Sequence, residues 1–252
     1  MSDPVISVIT VVYNAADTIA DTLGSVASQT YSNIEYIVVD GGSSDGTLAV
    51  IEKYRDVITH FVSEPDAGIY DAMNKGIGLA TGDVVGFLNA DDIFADAGVL
   101  GRVALAMQNT SVQACFGDVV FVGDDMETAV RYYRSSGFSL GRLAYGWMPA
   151  HPSLYLRRDL FDRYGNFRTD YEIAADYELV ARLFGKHRIS YVYLPWVFVK
   201  MRLGGVSTKG LRNSFILNRE IVRACEENSI STNMFKVLLK IPSKLSEFFI
   251  RR

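Results

Sequence analysis

Cysteine is scarce in this chain: two residues in 252, Cys115 and Cys225. They stand far apart and neither has a metal-ligand spacing, which points to a reducing compartment and away from a disulfide framework. No basic region precedes an apolar run at the N-terminus (Met1-Ser2-Asp3-Pro4-Val5-Ile6), so no signal peptide is expected. No apolar stretch reaches the roughly 18–20 residues that span a bilayer. Repeats and low-complexity linkers are missing too. The formal charge is −4, which speaks against nucleic acid as a main partner. What is present is an ordinary globular profile, 49% hydrophobic and 21% charged. That is enough core for one large α/β domain, or a domain with an appended subdomain.

The first hundred residues alternate strand and helix patterns. Val5 to Tyr13 is β-branched and apolar, as a central strand is. After Asn14, Ile19, Leu23 and Val26 recur at helical spacing, with Asp17 the expected cap. Ile34 to Val39 reads as a second strand, ending in Asp40. The polar loop Gly41-Gly42-Ser43-Ser44-Asp45-Gly46-Thr47 leads to a helix carried by Leu48, Val50, Ile51 and Tyr54. Ile58 to Val62 is a third strand, followed by Ser63-Glu64-Pro65-Asp66. A helix is expected over 68–80 and a strand over 84–88. Such alternation predicts right-handed βαβ units and a parallel sheet. Three of these strands end in carboxylates, and parallel strands bring such ends to one edge, where ligands bind.

The fourth strand runs into Phe87-Leu88-Asn89-Ala90-Asp91-Asp92. Acids at the tip of a core strand are costly to desolvate and should face a crevice. Two hard oxygen donors side by side suit Mg²⁺ or Mn²⁺, completed by substrate phosphates and water; capping of the next helix is the competing reading. The loop 40–47 is not a dinucleotide fingerprint, since it lacks Gly-x-Gly-x-x-Gly and its acid precedes the glycines. A carboxylate there can accept from a base N–H or a ribose hydroxyl, and the glycines let a ligand approach the backbone.

In order and spacing, five stretches resemble family 2 glycosyltransferases of the GT-A fold: Ser7 to Asn14, Val38 to Thr47, Asn74-Lys75-Gly76-Ile77, Ala80-Thr81-Gly82-Asp83 and Phe87 to Asp92. The variant Gly68 to Gly76 is similar to a bacterial subgroup that builds surface polysaccharides and glycolipids. The resemblance implies a Rossmann-like, mostly parallel central sheet flanked by helices, with a C-terminal helical extension. Residues 1–110 would be the nucleotide-sugar-binding half, 111–210 the acceptor-binding and catalytic half of the same domain, and 211–252 C-terminal helices. It also implies that Thr10, Tyr13 and Asn14 line the nucleotide pocket, that Asp40 binds uracil or another base, and that Asp66 and Lys75 lie near base and ribose. Asn89-Ala90-Asp91 takes the place of the Asp-x-Asp metal motif. Asp91 would then hold the ion on the donor diphosphate with Asp92 assisting, and Asn89 for the first acid implies weaker metal affinity. Met73 replaces an arginine often found in its helix.

Later motifs are sparser. Ala114 to Val122 and Ala129 to Arg134 flank Gly123-Asp124-Asp125 as a hairpin. His151, between Ala150 and Pro152, is either a hydrogen-bonded turn residue or, as the resemblance implies, an acceptor-side or phosphate-side group. Asp176 falls in the first turn of a helix whose apolar face is Leu179, Val180 and Leu183. Capping accounts for it, whereas the resemblance makes it the base that deprotonates the acceptor hydroxyl, with Ala175 replacing a preceding acid and Glu178 in reserve. Arg202 and Ser207, around Gly204-Gly205-Val206-Ser207, would reach the diphosphate; a surface arginine is the other reading. No glutamine follows Asp176, so the Gln-x-x-Arg-Trp motif of processive synthases is absent and single-sugar transfer is expected. Residues 234–252 mix apolar and basic side chains, the pattern of a segment in an anionic membrane interface or of one packed on the domain or on another subunit of a homo-oligomer.

The resulting expectation is an inverting, metal-dependent, non-processive transferase using a nucleotide-sugar donor, UDP-linked by preference. Its acceptor would be a glycan or polyprenyl-linked hydroxyl, and its place the cytoplasm, peripheral on the inner membrane. Nucleotidyltransferase and non-catalytic sugar-nucleotide binder are the rivals.

Overall fold

A computed structural model describes residues 3–123, 125–203 and 210–239. Strand β1 (Ile6–Val12) is buried at every position, as its β-branched run requires. It lies parallel between β2 (Ile34–Asp40) and β4 (Val84–Phe87), and β3 (His60–Ser63) extends β2 in parallel. Helices α1 (Ile19–Ala27), α2 (Thr47–Glu52) and α3 (Ile69–Leu79) make the crossovers. The order β3-β2-β1-β4 runs outward from β1 and then resumes on its other side, and a crevice opens at the carboxyl ends of strands at such a reversal.

Beyond β4 the sheet turns antiparallel. After β5 (Ile93–Phe94) and α4 (Val99–Met107) come β6 (Ala114–Val122) and β7 (Ala129–Tyr133), the expected hairpin, although Asp124 lies outside the described residues. Strand β8 (Leu154–Arg157) bridges β4 to β6, antiparallel to both. Helices α5 (Asp159–Tyr164) and α6 (Ala175–Val180) follow, α6 continuing as a π-helical segment, Ala181–Lys186. Strand β9 (Tyr191–Arg202) pairs parallel with β6 and antiparallel with β5. Helices α7 (Gly210–Glu227) and α8 (Met234–Leu238) form the extension. One mixed nine-stranded sheet among the described residues thus runs through both expected halves. The core lies in two layers: Ile9, Val39 and Phe87 face α3 and α6 residues, while Val8, Val38 and Leu88 face α1 and α4 residues.

Some local expectations change. Asp17 does not cap α1: Thr18 occupies that place and makes no side-chain capping bond. In α2 the inward residues are Thr47 and Ile51, and Leu48 is exposed.

The stretch Ala80 to Asp83 is a structural clasp. Glu35, nearly buried, accepts from Ser7 Oγ (2.5 Å), Thr81 Oγ1 (2.6 Å) and the N–H groups of Thr81 (2.8 Å) and Gly82 (3.2 Å). Asp83 Oδ2 accepts from Val5 N–H (2.9 Å). A Cβ at Gly82 would stand 2.6 Å from Ser7 Oγ and 2.9 Å from the Val5 carbonyl, so only glycine lets the turn close on β1.

Candidate active site

At the end of β2, Asp40 is fully buried. Its Oδ2 accepts from the N–H groups of Gly42 and Ser43 (both 3.0 Å) and from Ser63 Oγ (2.7 Å). Its Oδ1 is buried with no partner, an unusual state for a carboxylate oxygen. The loop after it is fastened to the end of β1: Asn14 N–H donates to Ser43 Oγ (2.8 Å), Asn14 Oδ1 accepts from Ser44 N–H (2.9 Å), and Ala15 N–H donates to Thr47 Oγ1 (2.9 Å). Asn14 adopts a left-handed φ of 48° to do this, which asparagine tolerates better than most residues. A Cβ at Gly41 would lie 2.4 Å from Asp66 Oδ2 and 3.5 Å from the Tyr13 ring, so glycine there lets Asp66 and Tyr13 close around Asp40. Tyr13 is 65% exposed, a free aromatic face at the mouth.

Two expected pocket residues already have protein partners. Thr10 is fully buried with its hydroxyl 3.0 Å from Tyr36 Oη; the strand alternation turns it into the core. Lys75 Nζ donates to Pro65 O and pairs with Glu64 (both 2.9 Å), with Asp71 at 3.7 Å.

The second element is the turn after β4. Asp92 N–H closes on Asn89 O (3.0 Å), and Thr22 Oγ1 donates to Asp92 O (2.8 Å). Asp92 is 1% exposed. Burial, then the adjacent Asp91 charge, holds its carboxyl well above the usual range, opposed by Asn89 and Arg202. Asp91 is partly exposed and Ala90 buried. Asn89 Nδ2 donates to Asp92 Oδ2 (3.4 Å), while Asn89 Oδ1 is buried without a partner. Arg202, at the end of β9, pairs with Asp21 of α1 beside this turn. Ser207 and its glycine loop lie outside the described residues. Among the described residues no group of three or more His, Cys, Asp or Glu is gathered as for a protein-only metal cage. One available carboxylate and an orphaned amide oxygen fit an ion that completes its shell with phosphate and water.

Third comes the head of α6. Asp176 is partly buried, and its Oδ1 accepts from Tyr177 N–H (2.7 Å). Burial, with a smaller contribution from the Glu220 charge, pushes its carboxyl up to about 6. It is not the cap, since Ala174 holds that position. Tyr70 of α3 donates to Ile173 O (2.5 Å) and stacks on Phe167 (5.8 Å). Phe167 meets Phe87 edge-on (5.3 Å), two residues before Asn89. Asn74 clamps Phe167, donating to its carbonyl (2.9 Å) and accepting from its N–H (3.0 Å). Through these contacts the segment ahead of Asp176 is tied to α3 and to the end of β4. His151 stacks on Phe87 (5.6 Å), and burial lowers its imidazole to about 4. Glu178 is spoken for: Oε1 accepts from Arg182 Nε (3.1 Å) and Asn228 Nδ2 (3.2 Å), and Oε2 pairs with Arg182 (2.9 Å). At 2% exposure it is a core ion pair facing α7, so the reserve role is withdrawn.

The model of the family described as Glycosyl transferase family 2 matches residues 7–176, spanning the Asp40 loop, the Asn89–Asp92 turn and Asp176. The chain belongs to glycosyltransferase family 2. It is 30% identical to a PGL/p-HBAD biosynthesis glycosyltransferase of Mycobacterium bovis over 223 residues, 86% of this chain and 84% of that protein. An uncharacterized glycosyltransferase of Mycobacterium tuberculosis is 35% identical over 184 residues, 72% of this chain and 69% of that one. Among solved structures, S. aureus TarS superposes with a TM-score of 0.67 at 21% identity, covering 97% of this chain and 42% of that chain. This transferase thus spans less than half of TarS. The mannosyltransferase PcManGT from Pyrobaculum calidifontis, in complex with GDP-Man and Mn²⁺, gives 0.67 at 20% identity, covering 98% and 74%. At such identities the likeness is one of fold, and that fold is GT-A.

Tyr70, Asn74, Phe167 and Glu220 were the site residues the motifs left without a role. Tyr70 and Asn74 stand within quoted stretches; Phe167 and Glu220 carry no signal in the sequence.

Proposed function

We propose that this family 2 enzyme is an inverting, metal-dependent transferase that moves one sugar from a nucleotide donor to the hydroxyl of a glycan or lipid-linked acceptor. What supports the proposal is the placement of Asp40 at the end of β2 and Asp91 just past β4, two parallel-sheet strands that end at one edge, with the segment ahead of Asp176 tied to α3 by Tyr70 and to the end of β4 through Phe167. Tyr13 offers a stacking face for the base, and the unpartnered Asp40 Oδ1 accepts its ring N–H, as both uracil and guanine can supply. Asp66, over Gly41, reaches the ribose. Asp91 and Asn89 Oδ1 would hold Mg²⁺ or Mn²⁺, which when bound neutralises charge on the departing diphosphate. Arg202, held by Asp21, adds positive charge behind the turn. Asp176 removes the proton from the acceptor oxygen as it attacks opposite the leaving group, which inverts the anomeric carbon. An oxocarbenium-like state needs no protein nucleophile.

A nucleotide sugar as donor is supported by two structural neighbours, one with GDP-Man and one with UDP-GlcNAc. A glycolipid-type acceptor is supported by the relative named for PGL/p-HBAD biosynthesis and by the apolar outer face of α8.

Asp176→Asn tests the reading. Turnover should fall by about a thousandfold or more, near the upper part of what a general base supplies, while donor affinity by calorimetry stays within about twofold. A variant that still turns over removes Asp176 from the reaction. Thermal-shift screening with nucleoside diphosphates and Mn²⁺ then identifies the base.

A further inference from the structure

Helix α7 grips the segment that leads into α6. Glu220 accepts three successive backbone N–H groups: Glu172 (2.6 Å) on Oε1, and Ile173 (2.9 Å) and Ala174 (2.8 Å) on Oε2. Ala174 sits at the cap position and has no side chain that could accept. The segment is gripped from its other side by the Tyr70 hydroxyl on Ile173 O. Asp176 stands two residues past the last of these bonds. The groups that face it are the Tyr70 hydroxyl from α3 and the Glu220 carboxylate from α7. The anchor lies 46 residues downstream of Ala174 and holds N–H groups ahead of α6, which a capping side chain at position 174 would not reach because a cap accepts from N–H groups within the first turn.

We propose that Glu220 is a positioning residue of the transfer reaction, gripping the three N–H groups ahead of α6 and so fixing where the Asp176 carboxylate stands. The proposal rests on Asp176 being the base. A shift of about 1 Å in a reacting group costs up to a hundredfold in rate. Removing the grip should therefore be read in kcat and leave donor binding alone.

Two variants divide the role. Glu220→Gln keeps the length and one acceptor oxygen but gives up the second and the charge. Its kcat should fall about tenfold to a hundredfold, donor KM should stay within about twofold, and the acid limb of kcat should move to lower pH because the repelling charge is gone. Glu220→Asp keeps the charge and shortens the reach; its kcat should fall with the limb in place. A folded Glu220→Gln enzyme with wild-type kcat and an unmoved limb overturns the proposal. Should that variant not fold, unchanged kcat in Glu220→Asp overturns it. Carbon NMR titration of the Asp176 carboxyl in unliganded protein separates this from the base assignment. A downward move in Glu220→Gln supports the Glu220 contact whatever Asp176→Asn does, whereas turnover by Asp176→Asn sinks the base assignment alone.

Discussion

Asp176 sits where folding alone would favour no charge. Its carboxyl is pushed up to about 6 in the folded chain, by burial first, against about 3.9 when unfolded. A raised carboxyl binds its proton more tightly in the native state, so stability falls as pH rises from about 4 to about 6 and stays lower above that. The ionised group costs the fold on the order of 2–3 kcal/mol. Asp176→Asn should therefore melt several degrees higher than wild type at pH 7.5 and show little gain at pH 4, measured by calorimetry. The activity of the wild-type enzyme should fall on the acid side with a limb near pH 6. Glu178 has the opposite signature. Glu178→Gln breaks a buried pair with Arg182 and should cost about 3 kcal/mol in urea unfolding, with kcat changed by less than about threefold. A collapse of kcat in stable Glu178→Gln protein would restore it as a reacting group. These two carboxylates lie two residues apart, and residue type alone could not tell their tasks apart. The helix period sets them on different faces, and only Glu178 is locked in a buried pair, with Arg182. What the sequence could not supply is the partner: Arg182, Asn228 and Glu220 are assigned only when α6, α7 and the 166–174 loop come together.

The motifs divide by what their backbones do. The loop from Asp40 to Thr47 is shaped by left-handed Gly42 (φ 84°) and Gly46 (φ 106°), leaving the ends of β1 and β2 open to a ligand. Ala80 to Asp83 was legible as part of a family pattern, yet its residues are spent on Glu35, which ties β1, β2 and the turn before β4 together. Burial raises the Glu35 carboxyl, but the hydrogen bonds from Ser7, Thr81 and Gly82 outweigh it and leave it below the ordinary value. A carboxyl lowered in the folded state adds stability above its unfolded pKa and loses it as pH falls through the folded one. Glu35→Gln turns an amide NH₂ toward donors and should cost on the order of 2–3 kcal/mol at pH 7. That cost should shrink toward pH 3 in chemical denaturation, and a pH-independent loss would contradict the charge-based account. Periodic elements such as β1, α3 and β6 could be read directly from spacing. Strand β5, two residues long, and the π-helical continuation of α6 have no period to detect.

Chain direction sets where Asp40, Asp66 and Asp91 lie. Because β1 to β4 are mutually parallel, every loop after them opens at one edge, so the pocket half was legible once the strands were. The other half was not, since β8 enters antiparallel between β4 and β6, and nothing in Leu154–Arg157 announces which neighbours it takes. The same asymmetry governs the extension. Helix α8 is capped by Asn233, which accepts from Lys236 N–H (2.9 Å), and it buries Val237 completely. Its other side offers water Phe235 (71% exposed), Leu238 (41%) and Leu239 (48%). No helix among the described residues is long and apolar enough to cross a membrane, and residues 240–252 lie outside the described part. An apolar outer face followed by the basic residues Lys240, Lys244, Arg251 and Arg252 is suited to an anionic lipid surface, with each cation worth about 1 kcal/mol there. The wild-type chain should therefore float with vesicles containing anionic lipid, and less so as salt shortens the Debye length. Phe235→Ser/Leu238→Ser/Leu239→Ser should abolish flotation. Because those side chains are already exposed, the melting temperature should stay within about two degrees, as surface substitutions change stability by only about 0.5 kcal/mol. Undiminished flotation of the triple variant would assign the face to protein packing, with a second copy of the chain as the partner to look for by sedimentation.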